Sequence, residues 1–233
     1  MNNIRLFFSE TLSTNMSGKL DKSQSHYVNK VMRVKENEVF SLFNSSGEWE
    51  AKILNISKNI VEFNITKQLR QKETTKELWL AFSPIKSNYF NFMIQKATEL
   101  GVTKFLPIVF DRTIVRKINK ERLEKVIIEA AEQSNRINVP SIEEPQSLNS
   151  FLKNSKIDLI FTDLNTSNTK IDLNQLTSNP TCVIIGPEGD FSPKEREIIL
   201  KNDKFKSFSL GKNILRSETA AMAGLVLLNY LLN

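Results

Sequence analysis

Between residues 181 and 224 the sequence TCVIIGPEGDFSPKEREIILKNDKFKSFSLGKNILRSETAAMAG twice runs an apolar strand into a glycine-containing loop that opens a helix. Four of the seven glycines of the chain fall here, which concentrates its sharpest backbone turns in one place. The first unit is a buried strand from Cys182 to Ile185, the loop Gly186-Pro187-Glu188-Gly189, and a helix opened by Ser192-Pro193-Lys194-Glu195. Ser192 is placed as an N-cap, Pro193 suits the first helical position, and Glu195 completes a capping box. The second unit is Phe205 to Leu210, the loop Gly211 to Arg216, and Ser217 as cap of a terminal helix that runs through Ala220, Ala221, Ala223 and Gly224. Glycine lets the backbone turn sharply and approach a ligand, and helix starts carry N–H groups without partners inside the helix. Both loops are therefore expected to belong to one small-molecule pocket, although ordinary strand-to-helix turns of an α/β domain would read the same way. Gly186-x-x-Gly189 is neither a Walker A loop nor a dinucleotide GxGxxG, so a simple phosphate cradle is not implied.

The rest of the chain divides in texture. Up to about residue 70 the runs are short and β-like: Val61, Phe63 and Ile65 alternate with Glu62 and Asn64, and FSLF at 40–43 meets the turn Asn44-Ser45-Ser46-Gly47. Short alternating runs separated by Gly/Asn turns indicate a small β-barrel or sandwich. The polar tract LRQKETTKE, 69–77, reads as a linker. Beyond it, strands at 78–83, 104–110, 157–162, 182–186 and 205–210 alternate with helices, including one at about 88–100 ended by Gly101 and one at about 120–135. That alternation predicts a parallel sheet covered on both faces, with 163–179 as loop. The expected division is 1–70 for the β domain and 71–233 for the α/β domain.

Charge and cysteine usage narrow the function classes. The 233 residues carry a net charge of +6, and residues 1–72 hold 11 Lys+Arg against 7 Asp+Glu while 73–233 hold 21 against 19. The basic excess thus lies in the first third, where it either aids solubility or meets a polyanion. No apolar run approaches the roughly 20 residues of a membrane helix, and MNNIRLFFSE lacks the apolar run of a signal peptide, so a cytoplasmic location is expected. Cys182 is the single cysteine, which rules out a disulfide framework or a Cys/His metal cluster, and no metal is expected. It lies within the apolar run CVII and reads as a packing residue. His26, the single histidine, has no triad to join.

GPEGDFSPKE followed by LGKNILRSETAA resembles the signature pair of the RsmE-type family, the 16S ribosomal RNA uridine N3-methyltransferases of the SPOUT class. Further landmarks are similar and in order: Arg5-x-Phe7, His26 with Val31-Met32-Arg33, FMIQKATELGV at 92–102, and Glu132-Gln133-Ser134-Asn135-Arg136. The resemblance covers nearly the whole chain. Asp190 departs from it, standing where the family often has a second glycine. The resemblance implies a PUA-like N-terminal β-barrel, a C-terminal trefoil-knot α/β domain that binds S-adenosylmethionine, and a homodimer. It places the cofactor against Ile185, Gly186, Pro187, Glu188 and Gly189, against Leu210, Gly211, Ile214, Leu215, Arg216 and Thr219, and against Thr162 in a third loop.

Methyl transfer from a sulfonium needs positioning above all, because the cofactor carries the reactive group. Uracil N3 bears a proton and is a poor nucleophile until that proton leaves. A cation near O2 or O4 would favour the deprotonated base and a carboxylate could accept the proton. Arg216 and Glu218 suit those tasks, with Glu188 as a second acid; equally, Arg216 could form a salt bridge and Glu218 could complement the helix dipole. For RNA, Arg5, Lys30, Arg33 and Lys35 form a cationic set interspersed with Phe7, Phe8 and Tyr27, and Asn135 and Arg136 are candidates on the catalytic domain. Two other readings stay open: a noncatalytic RNA-binding or ribosome-assembly protein with this fold, and an enzyme acting on a small anionic or nucleotide substrate through the glycine loops and helix N-termini.

Overall fold

The computed structural model describes residues 4–74, 76–153, 157–163, 166, 168, 180–202 and 205–232. Most of the 163–179 tract, read as loop from its composition, lies outside the described residues. The chain forms two compact units, one made of residues before position 75 together with Ala131–Val139, the other of the remainder.

The first unit is built on a five-stranded sheet in the order β1-β3-β4-β5-β2, where β1 is Arg5–Phe7, β2 Ser17–Lys19, β3 Val39–Asn44, β4 Gly47–Ser57 and β5 Ile60–Gln71. β1 runs parallel to β3 and the other pairs are antiparallel. A short helix α1 (Lys22–His26) and a π-helical turn (Tyr27–Val31) follow β2. The period-2 reading of β5 holds: Val61, Phe63 and Ile65 are fully buried between partly exposed Glu62 and Asn64. Phe63 centres the core, with Phe8 and Phe40 edge-on to it at 5.4 and 6.2 Å. The hairpin turn is where it was expected, its Asn44 Oδ1 accepting from Ser46 N at 2.8 Å. Residues 69–71 belong to β5 and pair with the start of β4, so the polar tract is strand before it is connection.

The second unit carries a parallel sheet in the order β12-β10-β11-β6-β7-β8, with β9 also paired to β7. Its strands are β6 (Leu78–Phe82), β7 (Lys104–Val109), β8 (Ser141–Ile142), β9 (Gln146–Ser147), β10 (Asp158–Thr162), β11 (Thr181–Ile185) and β12 (Phe205–Phe208). The helices are α2 (Ser87–Glu99), α3 (Lys120–Gln133, of which Ala131 onward belongs to the first unit), α4 (Leu148–Leu152), α5 (Pro193–Leu200) and α6 (Ser217–Leu232). All five residues of β11 are buried, as a central strand covered on both faces requires. Phe110, Phe151, Phe161, Ile184, Phe191 and Ile199 gather on one side of it, each worth about 1.5–3 kcal/mol of burial. The chain passes from β10 to β11 on one side and then crosses to β12 on the other side of β10. Such a reversal opens a crevice beyond the carboxyl ends of the strands, where open α/β sheets hold their ligands. No helix among the described residues is long and apolar enough to cross a membrane.

Candidate functional site

The crevice at the carboxyl ends of β10, β11 and β12 is a cavity of about 570 Å³. The β11–α5 loop supplies Ile185, Gly186, Pro187, Glu188, Asp190 and Phe191; the β12–α6 loop and helix start supply Leu210, Asn213, Ile214, Leu215, Arg216, Ser217, Glu218 and Ala220. Phe161, Thr162 and Asp163 close it from β10, Tyr89 from α2 and Arg196 from α5. Both glycine loops thus face one cavity whose size and mixed lining suit a nucleoside with a charged tail.

The β11–α5 loop is fixed by its own sequence. Ser192 Oγ accepts from Glu195 N at 3.3 Å and Glu195 Oε2 accepts from Ser192 N at 3.0 Å, a complete capping box with Pro193 at the helix start. Asp190 N donates to Pro187 O at 2.9 Å, closing a turn whose last residue is left-handed, with φ of +63°. An aspartate tolerates that conformation because its side chain hydrogen-bonds locally, here accepting from Phe191 N at 2.8 Å. Gly186 faces the ring of Phe191 so closely that a Cβ would lie 2.6 Å from Cε2. Phe191 in turn is held edge-on between Phe110 and Phe161, both at 5.1 Å. Gly211 has φ of +135°, and a Cβ there would meet nothing within 4 Å, so glycine answers a backbone need at that position.

Among the sequence-derived cofactor residues, Thr162, Ile185, Gly186, Pro187, Glu188, Leu210, Ile214, Leu215 and Arg216 line the cavity, whereas Gly189, Gly211 and Thr219 do not. The Thr162 hydroxyl donates to Ile184 O at 3.1 Å, tying β10 to β11. Ser217 is the first residue of α6 and not its cap; its hydroxyl donates across to Gly186 O at 3.4 Å, linking the two loops. Glu218 is buried in the cavity wall, and its carboxyl has no hydrogen-bond partner among the described residues. Arg216 is exposed, with its guanidinium 5.6 Å from the centre of the Tyr89 ring. Tyr89, Asp163 and Arg196 join the lining without having been marked by the sequence. Arg196 Nη2 pairs with buried Asp163 Oδ2 at 2.5 Å and lies over Phe161. An acid directly after the apolar run of β10 is the available signal for Asp163; no local signal marks Tyr89 or Arg196.

The cysteine is a packing residue. Cys182 is fully buried, and burial pushes its thiol up to about 12.

The RNA-directed set needs two corrections, at Arg5 and in the placing of Asn135 and Arg136, which fall in the first unit and not with the catalytic domain. Arg5 is 8% exposed: Nε donates to Glu48 Oε1 at 3.0 Å, Nη1 to Glu132 O at 3.0 Å and Nη2 to Arg136 O at 3.0 Å. Its guanidinium also lies 4.4 Å from the centre of the Phe43 ring, so it holds this unit together and offers no face to a phosphate. Glu132 Oε1 completes the exchange by accepting from Phe7 N at 2.9 Å. The Arg5-x-Phe7 and Glu132–Arg136 landmarks are therefore each other's partners. Asn135, left-handed with φ of +62°, accepts from Arg70 Nη1 at 3.1 Å through both its carbonyl and its side chain. Burial pulls Arg136 down to about 10. Phe8 is core, while Lys30, Arg33, Lys35 and Tyr27 remain exposed.

Comparison with known proteins agrees with this geometry. A family model described as an RNA methyltransferase domain matches residues 72–229, and one described as an RNA methyltransferase PUA domain matches 20–66. The ribosomal RNA small subunit methyltransferase E of Rickettsia conorii is 34% identical over 226 residues, covering 95% of this chain and 93% of the relative. That of Buchnera aphidicola (subsp. Schizaphis graminum) is 30% identical over 237 residues, covering 96% and 94%. The crystal structure of the Neisseria gonorrhoeae enzyme of that name, bound to S-adenosyl methionine, superposes with a TM-score of 0.89 at 27% identity over 99% of this chain and 98% of that one. The chain belongs to the ribosomal RNA small subunit methyltransferase E family.

Proposed function

We propose that this protein transfers a methyl group from S-adenosylmethionine to N3 of a uridine in 16S ribosomal RNA of the small ribosomal subunit. The observation that carries this reading is the meeting of both glycine loops around one cavity, with Arg216 and Glu218 at the start of the same helix in its lining. Ile185–Gly189 and Leu210–Leu215 would hold the adenosine and methionine parts, with Phe161, Ile185, Leu210 and Leu215 supplying apolar contact. When bound, the cofactor supplies an electrophilic methyl group on its sulfonium. Arg216, exposed and steadied by Tyr89, faces the pairing edge of the base and favours its N3-deprotonated form. Glu218, buried in the wall, accepts the N3 proton as the N3–C bond replaces N3–H. Gly211 shapes the second loop through its backbone, and Thr219 and Gly189 act from outside the cavity lining.

Lys30, Arg33 and Asn135 with Arg136 contribute to RNA binding in the first unit, and the protein works in the cytoplasm. It acts as a homodimer: Tyr89 and Phe92 on α2 and Val226 and Tyr230 on α6, two helices that pack together, leave 50, 43, 51 and 82% of their surface exposed. Large side chains gathered on neighbouring helices are what a second copy would cover.

Small subunits from cells lacking this gene, incubated with the protein and methyl-labelled cofactor, should gain one N3-methyluridine by mass spectrometry of the 16S RNA. No label, together with no cofactor binding by calorimetry, would overturn the reading in favour of a noncatalytic RNA-binding protein.

A further inference from the structure

The loop after β7 holds a feature that the cavity does not explain. Residues 112–120, RTIVRKINK, contain four cations and no acid. Arg112, Arg116 and Lys117 are exposed, and between them Ile114 is 72% exposed. The segment is strapped down at its start. Asp111 N donates to Glu195 Oε1 at 2.8 Å, and Asp111 Oδ2 accepts from Ser192 Oγ at 2.6 Å, so the capping box of α5 also grips the root of the loop. Buried Thr113 shares a 2.9 Å hydrogen bond with Ser83 and accepts from Phe110 N at 2.8 Å. Arg112 Nη1 donates to Gly189 O at 2.7 Å. Arg112, Ile114 and Val115 also share a small cleft with exposed Lys86 and with Pro187 and Glu188, the same two residues that line the cavity.

The root of this basic segment, Asp111 to Thr113, is thereby fixed beside the loop that forms the cavity wall, and Arg116 and Lys117 project from it. Lys86, Arg112, Arg116 and Lys117 repel one another, with Glu188 the one acid among the described residues lining the shared cleft and Lys120 already paired with Glu144 at 3.8 Å. A polyanion that brings phosphates to these cations relieves that repulsion, with counterion release adding to the affinity. We infer that Lys86, Arg112, Arg116 and Lys117 form a phosphate-binding platform for the RNA strand flanking the target nucleotide, placed in the catalytic unit and separate from the basic residues of the first unit. This rests on the reading of the cavity as the methyl-transfer site. Ile114 sits among the cations as an apolar contact for a base displaced from its stack.

The test is the salt dependence of binding to naked 16S ribosomal RNA. Arg116→Gln with Lys117→Gln removes two exposed charges at the cost of one long contact, from Arg116 Nη2 to Asp111 O at 3.4 Å, and leaves the bonds to Glu195, Ser192, Ser83 and Gly189 that strap the loop. The slope of log affinity against log salt should fall by about two, with affinity at moderate salt down about tenfold or more, because each lost phosphate contact removes about one from the slope. Cofactor affinity should stay within about twofold of wild type, as expected for charges outside the cavity lining. An unchanged slope would overturn the proposal. So would an equal fall in a control carrying Lys153→Gln and Lys201→Gln, two exposed lysines on other elements, since net charge alone would then be the cause. A loss seen with assembled subunits and not with naked RNA would assign the surface to a ribosomal protein and overturn it too. If the wild type failed to bind cofactor while the slope still fell, the cavity reading would fail and the platform would stand.

Discussion

Replacing Gly186 by alanine tests the cavity at its tightest point. Its φ is not in the left-handed region, so the new methyl brings no backbone strain, and the whole effect comes from space. The added Cβ would meet Phe191 Cε2 at 2.6 Å and Cζ at 2.8 Å, and ordinary contact begins near 3.4 Å. The ring cannot simply swing aside, because Phe110 and Phe161 hold it edge-on at 5.1 Å from either side. Overpacking of this kind costs about 1–3 kcal/mol. For a chain of this length that is a fall of about 2–12 °C in Tm. Phe161 and Phe191 also line the cavity, so their displacement should weaken cofactor binding about tenfold or more, by the energetics of a misfitted apolar contact. Differential scanning calorimetry and isothermal titration with S-adenosylmethionine read both quantities. Gly189→Ala is the control: its Cβ would sit 3.7 Å from Arg112, an ordinary contact, and stability should change by less than about 0.5 kcal/mol. Adding Phe191→Leu to Gly186→Ala should recover stability. A Gly186→Ala protein as stable and as tight-binding as wild type, or a double variant no better than the single, would refute the reasoning.

Arg5→Ala should destabilise by about 2–4 kcal/mol in urea unfolding, because buried Glu48 keeps only Arg70 as partner, at 3.2 Å, and the carbonyls of Glu132 and Arg136 lose a charged donor; Arg5→Lys should restore less than half of that since a lysine cannot serve the three directions of the guanidinium. Glu195→Ala should cost about 2–3 kcal/mol by removing the acceptor of both Ser192 N and Asp111 N, with Glu195→Gln intermediate. The Cys182 thiol is raised in the folded state, so its contribution is complete below pH 9 and is lost as pH climbs toward 12; the stability gap between wild type and Cys182→Ala should narrow over that window in pH-dependent unfolding. Tyr230→Glu should convert a dimer to a monomer by light scattering, since it puts a charge on an 82% exposed aromatic of the α6 face.

Local chemistry was legible in the sequence and distant pairing was not. The capping box of α5, the period of β5 and the hairpin at Asn44–Gly47 each depend on residues within a few positions of one another, and each appears as read. The two glycine loops were legible as a pair because each follows its own strand. Their closure around one cavity depends on β10 lying between β11 and β12, which no window of sequence displays. Ser217 looks like a cap because serine before an acidic helical turn usually is one; here its hydroxyl serves Gly186, 31 residues away. Arg5 read as a surface cation because it groups with Lys30, Arg33 and Lys35 in the more basic first third, yet its acceptors are 43 to 131 residues distant. Arg196 and Tyr89 project from helices whose own patterns speak only of packing.

The cage around Arg5 draws its carbonyl oxygens from Ala131, Glu132 and Arg136, and the amide of Phe7 is satisfied by Glu132. A fragment cut after residue 74 would lose the acceptors of Arg5 Nη1 and Nη2 and of the Phe7 amide and would open the buried Arg5–Glu48 pair to water. The amino-terminal module is thus not severable: no single break in the chain releases it intact, and a frameshift or protease nick before position 131 should cripple it along with the part downstream.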